Sequence, residues 1–220
     1  MRRRSKIALG AAGLAGAAIL SFGLFAGVPA ATPALADLPI GKAAPDFSGK
    51  DANGRAVSLS DFPGKTVVLE WNNPDCPTVQ QTYNSGTMQT TQAAAAADGV
   101  VWLTINSSGP WMQGNMNGAQ AQAYVAAQKA RPTAYLLDPE GMVGKAYGAK
   151  ATPHMYIINQ AGTLVYRGGI SGGMEAPASG EAGIDSSRNH VSAALSELKA
   201  GKPVSVPTTR AFGCSVKYAW

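Results

Sequence analysis

The feature that most constrains this chain is residues 66–77, TVVLEWNNPDCP, where a continuous apolar run passes through a turn to a cysteine and a proline. An apolar run without alternation, here residues 66–71, suits a strand buried on both faces of an α/β sheet. Pro77 suits the first turn of a helix, where its missing N–H would have no partner in any case. The segment therefore reads as strand, turn and helix, with Cys76 at the helix start. Backbone N–H groups there favour a thiolate, the nucleophilic form, and draw the pKa down from ~8.5. Cys76 is expected to lie ionised and reachable at the mouth of the scaffold.

The pattern continues on both sides. Residues 46–48 and 56–59 read as short strands joined through Asn53-Gly54, the pair that supplies positive φ in a type I′ hairpin. One helix is expected from Pro77 through the alanine run 93–97, ended at Asp98-Gly99. A strand at 100–105, a Gly/Asn-rich loop at 107–118 and a helix at 119–130 follow. Next come a strand at 134–137, a helical turn at 144–147, a strand at 154–158, a turn at 159–162 and a returning strand at 163–167. Loop 168–187 leads to a last helix at 189–198, and the tail, 201–220, has no clear periodicity. Units of strand and helix closed by an antiparallel hairpin argue for one three-layer α/β domain, residues 37–200, around a mixed sheet.

Residues 1–36 read as an export leader. Arg2, Arg3, Arg4 and Lys6 precede an apolar run to Val28, and Ala34-Leu35-Ala36 forms a cleavage pattern that would place the mature start near Asp37. The run is also long enough for an uncleaved membrane anchor. Four of the eighteen lysines and arginines precede residue 37 and none of the thirteen acids does, so the remainder is nearly neutral. The basic balance of the whole chain is thus no argument for nucleic acid. The expected location is the periplasm or the cell exterior, where Cys76 and Cys214, the only two cysteines, can coexist as a disulfide.

Gly41-Lys42-Ala43-Ala44-Pro45-Asp46-Phe47, residues 51–54, residues 57–62 and residues 64–69 together resemble the opening of the redoxin, or alkyl hydroperoxide reductase/thiol-specific antioxidant, family. The resemblance implies a thioredoxin-like fold, α/β/α around a mixed sheet, over roughly residues 41–169. It places Cys76 at the attacking position, Glu70 at the buried acid beneath it, and Thr152-Pro153 at the cis-proline turn that presents backbone to an incoming peptide. Burial of a carboxylate raises its pKa, which suits Glu70 to proton exchange with a thiol. Two departures stand out. Val79 occupies the position of the second cysteine of a C-x-x-C pair. Asn73 stands where peroxidases of the family carry the hydroxyl that bonds a peroxide, leaving its amide as the only substitute.

Three classes of function remain open on these residues. The first is a thiol-dependent oxidoreductase and antioxidant, Cys76 attacking a protein disulfide or a peroxide, Cys214 resolving it and a thiol reductant restoring both. Thr152, Asn73 and His154 are the candidate substrate-binding residues, with His154 favouring the thiolate if it is an imidazolium. The second is copper handling by Cys76, His154, Cys214 or methionines such as Met88, Met112 and Met116. The third is a non-catalytic binding protein with a structural Cys76–Cys214 staple. No phosphate-cradling glycine loop is present, so no organic cofactor is expected and no resident metal is assigned.

Overall fold

Alternation along the central strand creates two cores, because successive side chains of a strand point to opposite faces. The computed structural model describes residues 37–171 and 188–219. The expected leader, most of loop 168–187, and Trp220 lie outside the described residues. In chain order the elements are β1 (Ser48–Asp51), β2 (Ala56–Ser58), a 3₁₀ turn (Leu59–Asp61), β3 (Val67–Trp71), α1 (Pro77–Asn84), α2 (Thr87–Ala97) and β4 (Val101–Asn106). They continue with α3 (Gly118–Ala127), β5 (Ala134–Leu137), α4 (Met142–Tyr147), β6 (Ala151–Thr152), β7 (His154–Ile158), β8 (Leu164–Gly168), α5 (His190–Lys199) and β9 (Cys214–Ser215).

Seven strands form one sheet in the order β2-β1-β5-β4-β3-β7-β8. β3, β4 and β5 run parallel, whereas β7 and β8 on one side and β1 and β2 on the other pair antiparallel, so the sheet is mixed. Val67, Leu69 and Trp71 face a core shared with Val143 and Tyr147 of α4. Val68 faces the opposite core, with Val79 and Tyr83 of α1, Met88 and Ala95 of α2, and Val191 and Ala194 of α5. α3 joins that second layer, its Tyr124 ring meeting those of Tyr83 and Tyr135 edge to face. The architecture is the expected three layers.

Local details depart from the sequence reading where side chains or glycine override the pattern. The Asn53-Gly54 turn is not type I′: among the described residues only Gly54 of the pair has positive φ, at 80°. Buried Asp51 organises the turn instead, its carboxylate accepting from the N–H groups of Asn53 (2.8 Å) and Arg55 (2.9 Å). The single helix expected over 77–97 is two, because Gly86 adopts a left-handed φ of 77° between them. That break lets Tyr83 and Met88 enter the same core. The patternless tail contributes β9, which pairs with β6 in a separate two-stranded sheet. No helix among the described residues is long and apolar enough to cross a membrane.

Gly86 has open space around it, so only its backbone conformation resists substitution. Gly86→Ala is expected to lower the unfolding free energy by about 1 kcal/mol, the penalty of a left-handed L-residue, measured by urea titration.

Candidate active site

β3 ends at Trp71, and residues 72–75 carry the chain to Cys76, the N-cap of α1, with Pro77 at the first helical position. The turn is tied down by Asn73. Its side-chain oxygen accepts from the Asp75 N–H (2.9 Å) and its amide donates to the Gln113 carbonyl (3.1 Å). The Asp75 carboxylate accepts from the Gly114 N–H (3.0 Å), so loop 107–118 braces the cysteine loop. Asn73 is buried and its amide is committed to scaffolding.

The Cys76 thiol donates to the Thr152 carbonyl at 3.1 Å, and the Thr152–Pro153 bond is cis. From the other side the Cys214 N–H donates to Cys76 Sγ at 3.4 Å. Cys214 gets there because β9 pairs antiparallel with β6, Thr152 opposite Cys214 and Ala151 opposite Ser215. Both cysteines are free thiols. The expectation of a reachable Cys76 is corrected here: its exposure is 0%. Thr152 and Cys214 lie over it.

Electrostatics separate the two sulfurs. Burial alone pushes the Cys76 thiol up, but donation from the Cys214 thiol and the Thr152 side chain, then from the Val79 and Cys214 N–H groups, outweighs it and brings the pKa down to about 7. The helix makes no full capping bond to the sulfur, so the principal donors are tertiary neighbours rather than the helix end. Cys214 moves the opposite way, to about 11, raised by burial, by its bond to Cys76 and by the charge on Cys76.

Glu70 lies on the helix-rich face of β3 and is wholly buried. Oε1 accepts from Tyr83 Oη (2.8 Å) and Asn72 Nδ2 (3.1 Å). Oε2 accepts from Trp102 Nε1 (2.8 Å), Gln92 Nε2 (3.1 Å) and Thr104 Oγ1 (3.1 Å). Burial raises its pKa while these bonds oppose the rise. Asn72 links the acid outward, accepting from Tyr135 Oη (3.0 Å) and donating to Tyr124 Oη (3.3 Å). None of these bonds runs from Glu70 to Cys76. Trp102 and Tyr135 read in sequence only as core strand residues. The available signal was that Trp102 and Thr104, two apart on a strand beside Glu70, share one face.

His154 is buried, its Nδ1 against Tyr156 Oη (3.2 Å) and the Lys150 N–H (3.4 Å). Burial and then Arg167 lower its pKa to about 4, so it is neutral near pH 7 and does not supply the imidazolium considered above. Arg167 and Lys150 instead pair with Asp37, at 3.0 and 2.8 Å. Met88 is a core residue. Among the described residues, no three His, Cys, Asp or Glu side chains gather to hold a metal ion.

The redoxin family model matches residues 39–178, which is more than half of the chain. The chain belongs to the redoxin family. Glu70, Cys76, Thr152 and Pro153 fall inside the matched segment of this redoxin, and Cys214 falls outside it. Among solved structures, a hypothetical protein from Sinorhizobium meliloti 1021 is 24% identical with a TM-score of 0.70, covering 84% of this chain and 97% of its own. An uncharacterized conserved protein from Geobacillus kaustophilus is 26% identical with a TM-score of 0.69, covering 82% and 93%. A protein named for thiol:disulfide interchange, DsbE, from Chlorobium tepidum is 26% identical with a TM-score of 0.50, covering 60% and 85%. No curated protein matches. The fold is thioredoxin-like.

The thiolate absorbance of Cys76 is expected to titrate near pH 7, and Cys214→Ala, which removes the foremost donor, to move that midpoint up toward ~8.5. A folded-state pKa below the unfolded one means the thiolate favours the folded protein. That contribution is fully present above ~8.5 and is lost as pH falls through about 7. Urea titrations of the reduced protein should show stability rising across that interval, and Cys76→Ala should remove the rise.

Proposed function

We propose that this chain is an exported thiol–disulfide oxidoreductase in which Cys76 is the attacking sulfur and Cys214 the resolving one. The observation that carries the reading is the delivery of Cys214 onto Cys76 by strand pairing of the tail with β6. A thiol near pKa 7 beside one near 11 divides the labour: the first is ionised and attacks, the second stays protonated.

The Cys76 thiolate attacks one sulfur of a protein disulfide, forming a mixed disulfide and releasing a thiolate of the substrate, which takes up a proton. Once Cys76 is in the mixed disulfide, its negative charge is gone, and with it two of the three influences that raise Cys214. Cys214 then loses its proton and attacks Cys76 Sγ, giving the Cys76–Cys214 disulfide and a second substrate thiol. An external dithiol reductant restores the pair. Glu70 is assigned the storage of the exchanged proton without a direct bond to Cys76. What supports this is that Tyr83 and Thr104, two of its five donors, carry hydroxyls that can turn to accept from the protonated acid.

Protein disulfides are favoured over peroxides by two features. Asn73, at the position of the peroxidase hydroxyl, is occupied by Asp75 and Gln113. The groups beside Cys76 Sγ are the backbone of Thr152 and Cys214, which suit an extended peptide. The name of the Chlorobium tepidum relative agrees with this substrate class. Residues 1–36 are proposed as the export leader, 37–200 as the redoxin domain and 201–220 as the tail that carries the resolving cysteine, acting in the periplasm or outside the cell.

Cys76→Ser is expected to abolish reduction of a protein disulfide by a dithiol, by more than about a hundredfold. Cys214→Ser should stall as a covalent adduct with the substrate, seen by non-reducing electrophoresis. Full turnover by Cys76→Ser would end the reading, and fast turnover of hydrogen peroxide but not of protein disulfides would replace its substrate.

A further inference from the structure

The covering of Cys76 by the chain's own tail poses a problem for any external substrate: a sulfur with 0% exposure cannot attack a protein disulfide. What lies over it, however, has the character of a docked segment rather than of core. None of residues 201–219 is fully buried. The tail also lies outside the segment matched by the redoxin family model.

It is held by hydrogen bonds along residues 207–219, and only partly buried side chains, Cys214 and Val216, pack from that stretch against the two cores. The Arg167 N–H donates to the Pro207 carbonyl (3.0 Å) and the Thr209 N–H to the Arg167 carbonyl (3.1 Å). Thr209 Oγ1 accepts from the Gly169 N–H (3.0 Å) and meets Tyr166 Oη (2.7 Å). Further on, the Val216 N–H donates to the Lys150 carbonyl (3.2 Å), the Gly109 N–H to the Lys217 carbonyl (2.7 Å) and Tyr218 Oη to the Ala149 carbonyl (2.8 Å). Between these anchors β9 is the only strand on β6 among the described residues. Gly213 makes the close approach possible: its φ is 132°, and a Cβ there would collide with the Thr152 carbonyl oxygen.

Resting on the oxidoreductase reading above, we propose that residues 207–219 are a displaceable strap, a tethered stand-in for the substrate strand. It leaves β6 when an extended, cysteine-bearing segment of a partner protein takes its place. The edge that β9 vacates exposes the backbone of Ala151 and Thr152, and an unpaired edge is a template for strand addition. A partner strand in the β9 register places its own cysteine opposite Thr152 and against Cys76, where Cys214 now sits. In the mixed disulfide the returning strap brings Cys214 back for resolution, so one segment both closes the site and completes the reaction. The strapped state keeps Cys76 from adventitious thiols and oxidants. The apparent reactivity of Cys76 toward large partners then scales with the unstrapped fraction.

The test loosens the strap by substitutions at residues other than the two cysteines, compared within one background. In a Cys214→Ser background only Cys76 can be alkylated, and a polyethylene-glycol maleimide reports access to it. Gly213→Val, which drives β9 off Thr152, is expected to raise the alkylation rate by about tenfold or more. Thr209→Val, which removes the bonds to Gly169 and Tyr166, should act in the same direction and serves where Gly213→Val fails to fold. With Cys214 present, both variants should accumulate the mixed disulfide, because opening is eased and return is slowed. A folded Gly213→Val or Thr209→Val protein with an unchanged alkylation rate would overturn the strap. A raised rate in a protein whose Cys76→Ser form keeps full turnover would leave the strap standing and remove the oxidoreductase reading instead.

Discussion

A carboxylate buried in the middle of a sheet has to be matched by donors, and the rest of this site is organised around that demand. Glu70 takes its five hydrogen bonds from the loop after β3, from α1, from α2 and from β4. Gln92 is itself oriented by the Arg131 N–H on its side-chain oxygen, and Asn72 by the Tyr135 hydroxyl, so their amide groups are fixed as donors. An unmatched charge there would carry the full cost of desolvation. The network therefore pins α1 and α2 to the sheet, and the bonds of Asn73 and Asp75 to loop 107–118 then fix the place of Cys76.

The two cysteines differ because their surroundings differ, not because their sequences do. Cys76 collects donors from three separate segments, α1, the Thr152 turn and the tail, and so ionises readily despite being covered. Cys214 is one of those donors, and stabilising a neighbour's anion makes its own ionisation harder. The asymmetry is thus a property of the reduced pair and changes when either sulfur becomes bonded. Thr152 is the pivot: its backbone receives the thiol of Cys76, pairs with β9 and approaches Gly213 more closely than any side chain would allow.

How much of this was legible varied with the range of the interactions involved. β5 and β7 stand where the apolar pattern put them, because strands buried on both faces leave a simple signature. The break at Gly86 was hidden by the alanines after it, which favour helix whether or not the chain bends. At the Asn53-Gly54 turn, a local preference yielded to the carboxylate of Asp51, which organises the loop from two residues away. Glu70 was recognisable as a buried acid from the family resemblance. Its partners were not, since Tyr83, Gln92 and Trp102 are each consistent with ordinary helix or strand positions.

The sequence by itself determined the layers, the mixed sheet, the helix start at Cys76 and the redoxin family, because these follow from local patterning and from motifs close together in the chain. Only the tertiary structure decided that Cys76 is covered, that His154 is neutral and that Cys214 meets Cys76. Those outcomes depend on groups brought together from distant segments, and on β9, whose two residues acquire strand geometry from β6 rather than from any pattern of their own. Charge, exposure and proton affinity are set by such neighbours, and a neighbour 138 residues away leaves no mark in local periodicity.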